Sequence, residues 1–321
     1  MIQERNIPTP AAVRSAIDRG VSFLRQRQLA WGEFASLRCT DPGLKTAARP
    51  DSSPFTTTFV LHALDFLRHP CVEAMRQRAV TFLREERQEP GLWRYWSSRQ
   101  GTSIDPDLDD TCCASFALRS QSLATELPGS NHDCILSNRH PSGLFKTWLR
   151  GGEDDNDVDG AVNANVLLYL GERTETRAAL EIVANAINED REALASWYYP
   201  DALALYYMVS RAYYHGVTGF GICRDAILHK VRARQSSGDE AALPVALALC
   251  TLANFGAAAG TDTERAVEML VACQAVDGSW ARYAFYAGPE PPMPRSVWFG
   301  SEELTTAFTL EALARVTHCT G

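Results

Sequence analysis

The chain has 321 residues, of which 45% are hydrophobic and 22% charged, the balance of a globular protein with a sizeable core. Its formal net charge of −8 argues against nucleic acid as a principal partner, since phosphate binding calls for clustered positive charge. The opening stretch MIQERNIPTPAAVRS has no apolar signal core, no run of 18 apolar residues follows, and the nine cysteines are scattered, so a cytoplasmic protein with buried thiols and no transmembrane segment is expected.

Helical periodicity dominates and alternating β-branched stretches are scarce. In chain order, a half-polar helix at 10–27 precedes an apolar one at Thr57–Leu67, and 71–87 precedes Asp109–Leu118. The pattern continues with 122–137 before Val158–Leu170, 174–188 before Asp201–Tyr214, 219–233 before Leu243–Phe255, and 262–273 before Leu304–Ala314. A helix that is apolar all round must be surrounded by protein, whereas a half-polar one can face water. Six inner and six outer helices in alternation predict an all-α (α/α)6 barrel, with residues 1–321 as one domain.

A short repeat punctuates the pairs. Gln28 to Phe34 (QLAWGEF) is echoed by Gln88 to Trp93 (QEPGLW) and Gln274 to Trp280 (QAVDGSW), and more weakly by Ser142 to Phe145. In each, glycine makes the turn at a helix end and the aromatic closes over it. Parallel inner helices begin at one end of the barrel, so Asp107, Asp109, Asp110, Asp157, Asp159, Asp201, Glu302 and Glu303 are expected around a shared acidic mouth.

Asp107-Leu108-Asp109-Asp110-Thr111 reads DxDDT. Carboxyl groups held close together cannot all ionise, so one keeps its proton, and an apolar barrel reinforces this by desolvation. The same acids could simply cap a helix, but two suffice for that, and four occur between 105 and 110. With the surrounding repeats, which cover most of the chain, the motif resembles the class II terpene cyclases, the squalene-hopene cyclase and copalyl diphosphate synthase group. The resemblance implies that Asp109 is the general acid that protonates an alkene or epoxide, with Asp107 and Asp110 as flanking carboxylates. It also implies an Asn or His against the acid's carboxyl, and Asn163, one turn inside its helix, is the candidate.

Glu153, Asp154 and Asp157 resemble an EDxxD-like run that holds Mg²⁺ and a diphosphate in some diterpene enzymes, with hard oxygen ligands suited to that ion. A solvated acidic loop is the alternative. Asp157 and Asp159 are candidates for the substrate cavity, as are Trp197, Tyr199, Tyr206 and Trp298, whose π faces would stabilise a carbocation without quenching it. Trp93 and Trp280 are assigned to repeat packing. No organic cofactor is expected beyond possible Mg²⁺, and the partner is a small-molecule isoprenoid substrate, either a prenyl diphosphate or an isoprenoid tail on another group. Long members of the family carry a second helical domain, so here either the toroid axis takes a short substrate or a second subunit, as in a homo-oligomer, closes the site. Three other readings stand beside this one. Asp110-Thr-Cys112 fits part of the zinc set of protein prenyltransferases, although no histidine stands in Ser301 to Thr306. Asp109 and Asp159 could serve as the acid pair of a carbohydrate hydrolase. The chain could also be a non-catalytic toroid that binds an isoprenoid or a protein, for which buried acids have no use.

Overall fold

The computed structural model describes residues 8–121, 130–150, 156–236 and 241–318. Half-polar and apolar helices alternate in it: α1 (Pro10–Arg27), α2 (Pro54–Leu64), α3 (Val72–Glu85), α4 (Leu108–Ser120), α5 (Ser130–Ser137), α6 (Gly160–Leu170) and α7 (Arg177–Asn188). The single turn α8 (Glu192–Ala195) follows, then α9 (Ala202–Tyr214), α10 (Arg224–Ser236), α11 (Ala242–Asn254), α12 (Thr261–Ala272) and α13 (Glu302–His318). Helices α2, α4, α6, α9, α11 and α13 each pack on the next, and α13 closes the ring on α2. Every residue of α2 and α6 is buried, as expected of helices with neighbours on all sides. By contrast α1, α3, α7 and α12 bury one stripe and turn charged residues to solvent. The expected double ring is present, with the outer helix placed at 122–137 described from Ser130 onward. Among the described residues, no helix is long and apolar enough to cross a membrane.

The repeats fasten the rings together. Gln28 donates its amide to the carbonyls of Gly32 and of Met75 in α3, both at 2.9 Å. Gln274 does the same to Gly278 and to Ala16 in α1, again at 2.9 Å. Each glutamine therefore ties the end of one outer helix to the next, and the second tie joins the last outer helix to the first. At Gly278 φ is +91°, and a Cβ would lie 2.4 Å from the Arg19 carbonyl oxygen, so only glycine lets the two backbones approach. The aromatic of each repeat points inward, and its backbone N–H donates to a side-chain oxygen near the start of the following inner helix. Thr57 accepts from Phe34, Thr111 from Trp93, Asn163 from Phe145, and Thr306 from Trp280.

Beyond the all-α expectation stands a small antiparallel sheet of β1 (Ser36–Cys39), β2 (Arg49–Asp51), β3 (Tyr286–Gly288) and β4 (Val297–Gly300), in the order β2-β1-β4-β3. Its strands lie in the connections leading into α2 and α13. The sheet thus sits over the end of the ring where inner helices begin.

Candidate active site

Asp107 caps α4. Its backbone is extended, with φ −131°, and Oδ1 accepts the N–H of Asp110 at 2.8 Å. One carboxylate satisfies the cap, which leaves Asp109 and Asp110 on the first turn, rotated by about 100° from each other. Asp107 and Asp110 are buried at 4% and 3% exposure, while Asp109 stands further out into a cavity of about 300 Å³ that all three line. Two neutral donors meet the Asp109 carboxyl. The Tyr199 hydroxyl donates to Oδ2, and the Asn165 amide donates to Oδ1 at 2.6 Å.

The cavity wall is largely aromatic: Phe55, Tyr95, Trp148, Tyr199, Tyr286 and Phe299 all line it. Strand register decides which sheet residues face inward. Tyr286 pairs with Phe299, and Phe299 with Arg38, so these three form one row on the cavity side. Tyr286 and Phe299 stack at 5.0 Å and 11°, and Phe55 meets Tyr286 edge-on at 5.2 Å. At the rim, Arg38 stands 3.8 Å from Asp51, and Arg150 pairs with Glu290 at 3.0 Å.

Burial is the largest influence on every carboxyl of the cluster. It raises Asp107 to about 7, although hydrogen bonds from Asp110 pull it back, and lifts Asp110 well above the usual carboxylate range, with the charges of Asp107 and Asp109 adding to the rise. Asp109 is raised by burial too, but Tyr199, Asn165 and the Arg211 guanidinium pull it back. Burial thus favours the protonated form of Asp109, while donors already stand against its conjugate base. Asp159 is raised to about 6, again by burial.

Several sequence expectations need correction. Asn163 is not the partner of the acid. Its amide bridges the N–H and C=O of Phe145 at 2.8 and 3.0 Å, the repeat bond that Thr57, Thr111 and Thr306 make elsewhere. The acid's partner is Asn165, two residues on. Asp159 is fully buried and caps α6: Oδ1 accepts from Ala161 and Val162, Oδ2 from Trp197 and Tyr198. With its oxygens engaged by backbone it faces no cavity, which removes it both as a substrate contact and as half of a hydrolase acid pair. The Asp157 carboxylate is likewise taken up by Thr147 (2.5 Å), Trp148 (3.2 Å) and Tyr198 (2.8 Å). In this arrangement it braces the wall between Thr147, Trp148 and Tyr198. Glu153 and Asp154 lie outside the described residues.

The aromatic candidates divide in the same way. Tyr199 lines the cavity. Trp197 stands behind the wall, its indole donating to the Pro289 carbonyl at 3.1 Å. Tyr206 turns outward to Glu192 at 2.6 Å, because the next residue, Tyr207, takes the inward position. Trp298 belongs to the sheet row opposite Phe299 and packs on Cys39, Leu44 and Ala284. Asp110 and Cys112 gain no third ligand, since among the described residues no three His, Cys, Asp or Glu side chains gather as a metal site.

The sequence matches no protein-family model and no curated protein. Among solved structures the chain is similar to type II terpene cyclase MstE from Scytonema in complex with geranylgeranyl dihydroxybenzoate, its substrate. The TM-score is 0.73 at 16% identity, covering 96% of this chain and 98% of that one. It is also similar to ent-copalyl diphosphate synthase from Streptomyces platensis, with a TM-score of 0.57 and 16% identity over 82% of this chain and 50% of that one. An unsaturated glucuronyl hydrolase specific for heparin aligns with a TM-score of 0.62 and 10% identity over 97% of this chain and 98% of that one. The fold is therefore the class II terpene cyclase-like single toroid, a ring of helical hairpins that some glycosidases also adopt.

Proposed function

We propose that the protein is a protonation-initiated terpene cyclase acting on an isoprenoid-tailed substrate, with Asp109 as the general acid. The toroid alone does not carry this reading, because a hydrolase shares it. What supports it is one juxtaposition: a half-buried carboxyl, held by Tyr199 and Asn165, that lines a cavity walled by aromatic rings. A passive lipid binder would have no use for such an acid. In the proposed step the Asp109 O–H bond breaks, a C–H bond forms on the terminal alkene, and the cation so created is held against π faces.

Arg38 and Arg150 each stand opposite a carboxylate, and Tyr95, Tyr198, Tyr199 and Tyr286 line the same cavity. This favours a neutral or singly charged polar head, such as a prenylated hydroxybenzoate, over a diphosphate. The test is to incubate the purified protein with geranylgeranyl dihydroxybenzoate and, separately, with farnesyl and geranylgeranyl diphosphates, and to seek a product isomeric with the substrate. Asp109→Asn keeps the shape and removes the transferable proton, so conversion should fall by about 10²–10⁴-fold or more with the melting temperature little changed. Asp109→Asn turning over at the wild-type rate would falsify the assignment. Release of diphosphate as the first event would point instead to ionisation chemistry.

A further inference from the structure

Arg211 lies on α9 near the barrel axis and is only 2% exposed. Its guanidinium sits 4.7 Å over the Phe59 ring and 5.5 Å over Tyr207, and Nη2 donates to Asn165 Oδ1 at 2.7 Å and to Cys113 Sγ at 3.6 Å. Among the described residues its Nε has no hydrogen-bond partner. A buried cation normally earns its place through a carboxylate bonded directly to it, but here each acid is reached through another group. Tyr207 links it to Glu311 at 3.0 Å, and Asn165 links it to Asp109 at 2.6 Å. Glu311 already pairs with Arg315 at 3.0 Å, while burial holds the neighbouring His62 neutral. The barrel interior thus carries a positive charge in excess, and the open route from it leads to the acid.

We propose that Arg211 is a positioning residue for proton donation: by binding the Asn165 carbonyl it turns the amide N–H toward Asp109, and its charge faces the carboxylate that Asp109 leaves behind. An arginine can only donate, so the amide oxygen must point to it and the nitrogen to Asp109. Without the guanidinium, that amide could present its oxygen to a protonated Asp109 and weaken the acid. The direction of the Arg211 effect on Asp109, toward easier ionisation, agrees.

The inference rests on Asp109 as the acid, but its test does not need turnover. The groups that bear on Asp109 are Asp107, Asp110, Cys112 and Cys113 of α4, Asp159 at the cap of α6, Tyr199 before α9, Asn165 and Arg211. Those bearing on Arg211 are Tyr207, Cys113 and Glu311, with His62 and His215 beside it. In the full chain with ¹³C-labelled aspartate, the Asp109 carboxyl signal is identified by its loss in Asp109→Asn and followed against pH. Arg211→Gln should raise the Asp109 midpoint by about one pH unit or more, and Arg211→Lys, which keeps the charge but not the fork, should raise it less. Asn165→Ala removes the link together with the amide donor to Asp109 and should also raise it; if Arg211→Gln does not fold, the raised midpoint in Arg211→Lys carries the test. A midpoint unmoved in a folded Arg211→Gln, in Arg211→Lys standing in for it, or in Asn165→Ala overturns the proposal. Normal turnover by Asp109→Asn would instead sink the acid assignment, whatever the titration shows.

Discussion

The Tyr199 hydroxyl and the Asn165 amide occupy both oxygens of Asp109, so the carboxylate that the proposed proton transfer would leave has its hydrogen bonds already in place. Neither donor is charged, and neither can take the proton away at neutral pH, since burial also raises the Tyr199 phenol well above its usual range. Tyr199→Phe removes one such bond without altering the ring. A hydrogen bond to a charged group contributes about 1.5–3 kcal/mol, so conversion of geranylgeranyl dihydroxybenzoate should drop by roughly ten- to a hundredfold with little change in KM. Asn163→Ala should behave in the opposite way. It leaves two buried backbone groups of Phe145 without their partner and should cost roughly 1–3 kcal/mol in urea denaturation, while the folded fraction keeps its turnover. Two positions on a helix face opposite ways, so which asparagine meets the acid depends on how α6 is rotated. That rotation was nonetheless within reach of the sequence. Aligning the inner helices on their repeats puts Asn163 in register with Thr57, Thr111 and Thr306, a packing position, and releases Asn165 for the cavity.

The inner helices are legible because a segment such as Val158–Leu170 is apolar on every face and long enough to show it, and the structure buries all of α6. The sheet is not, because its strands run only three or four residues, too short for an alternating pattern, and two lie in a proline-rich stretch. Missing the sheet meant missing one side of the cavity wall: Tyr286 and Phe299 have no helical period to betray them, and Trp298 looks the better candidate by size. The pleat settles the matter, since successive strand residues face opposite sides. Phe299→Ala should therefore change the product pattern or raise KM several-fold, because it opens one face of a stacked pair in the cavity, with a modest effect on stability. Trp298→Ala should leave the product pattern alone and cost roughly 1–3 kcal/mol, less than a fully buried tryptophan would. Product analysis beside chemical denaturation separates the two, and a changed product pattern in Trp298→Ala would contradict the sheet register.

The two ends of the barrel respond to pH in opposite directions. At the end where inner helices begin, burial raises Asp107 to about 7 and Asp159 to about 6, and raises Asp109 and Asp110 with them. In the unfolded chain these carboxyls ionise near their usual value of 3.8. Between that value and about 7 the folded state therefore binds more protons than the unfolded one, and stability falls as pH rises. At the other end burial holds His62 neutral below its usual 6.5, so there the unfolded state binds the extra proton and stability rises with pH through the same window. Four raised aspartates oppose two lowered histidines, His62 and its neighbour His215, which falls to about 4, and the acids should prevail. The free energy of unfolding should be higher near pH 5 than near pH 8, the reverse of a protein whose carboxylates are held in salt bridges. Asp107→Asn, which deletes the titration but keeps an oxygen for the Asp110 N–H, should flatten the slope, and turnover should fall on the same alkaline side as the cluster ionises. Urea denaturation of both proteins across that range decides it. A wild-type stability that climbs from pH 5 to pH 8 would mean that the aspartates ionise near their usual values in the folded chain, and the carboxyl that the proposed reaction needs protonated would then be without its proton.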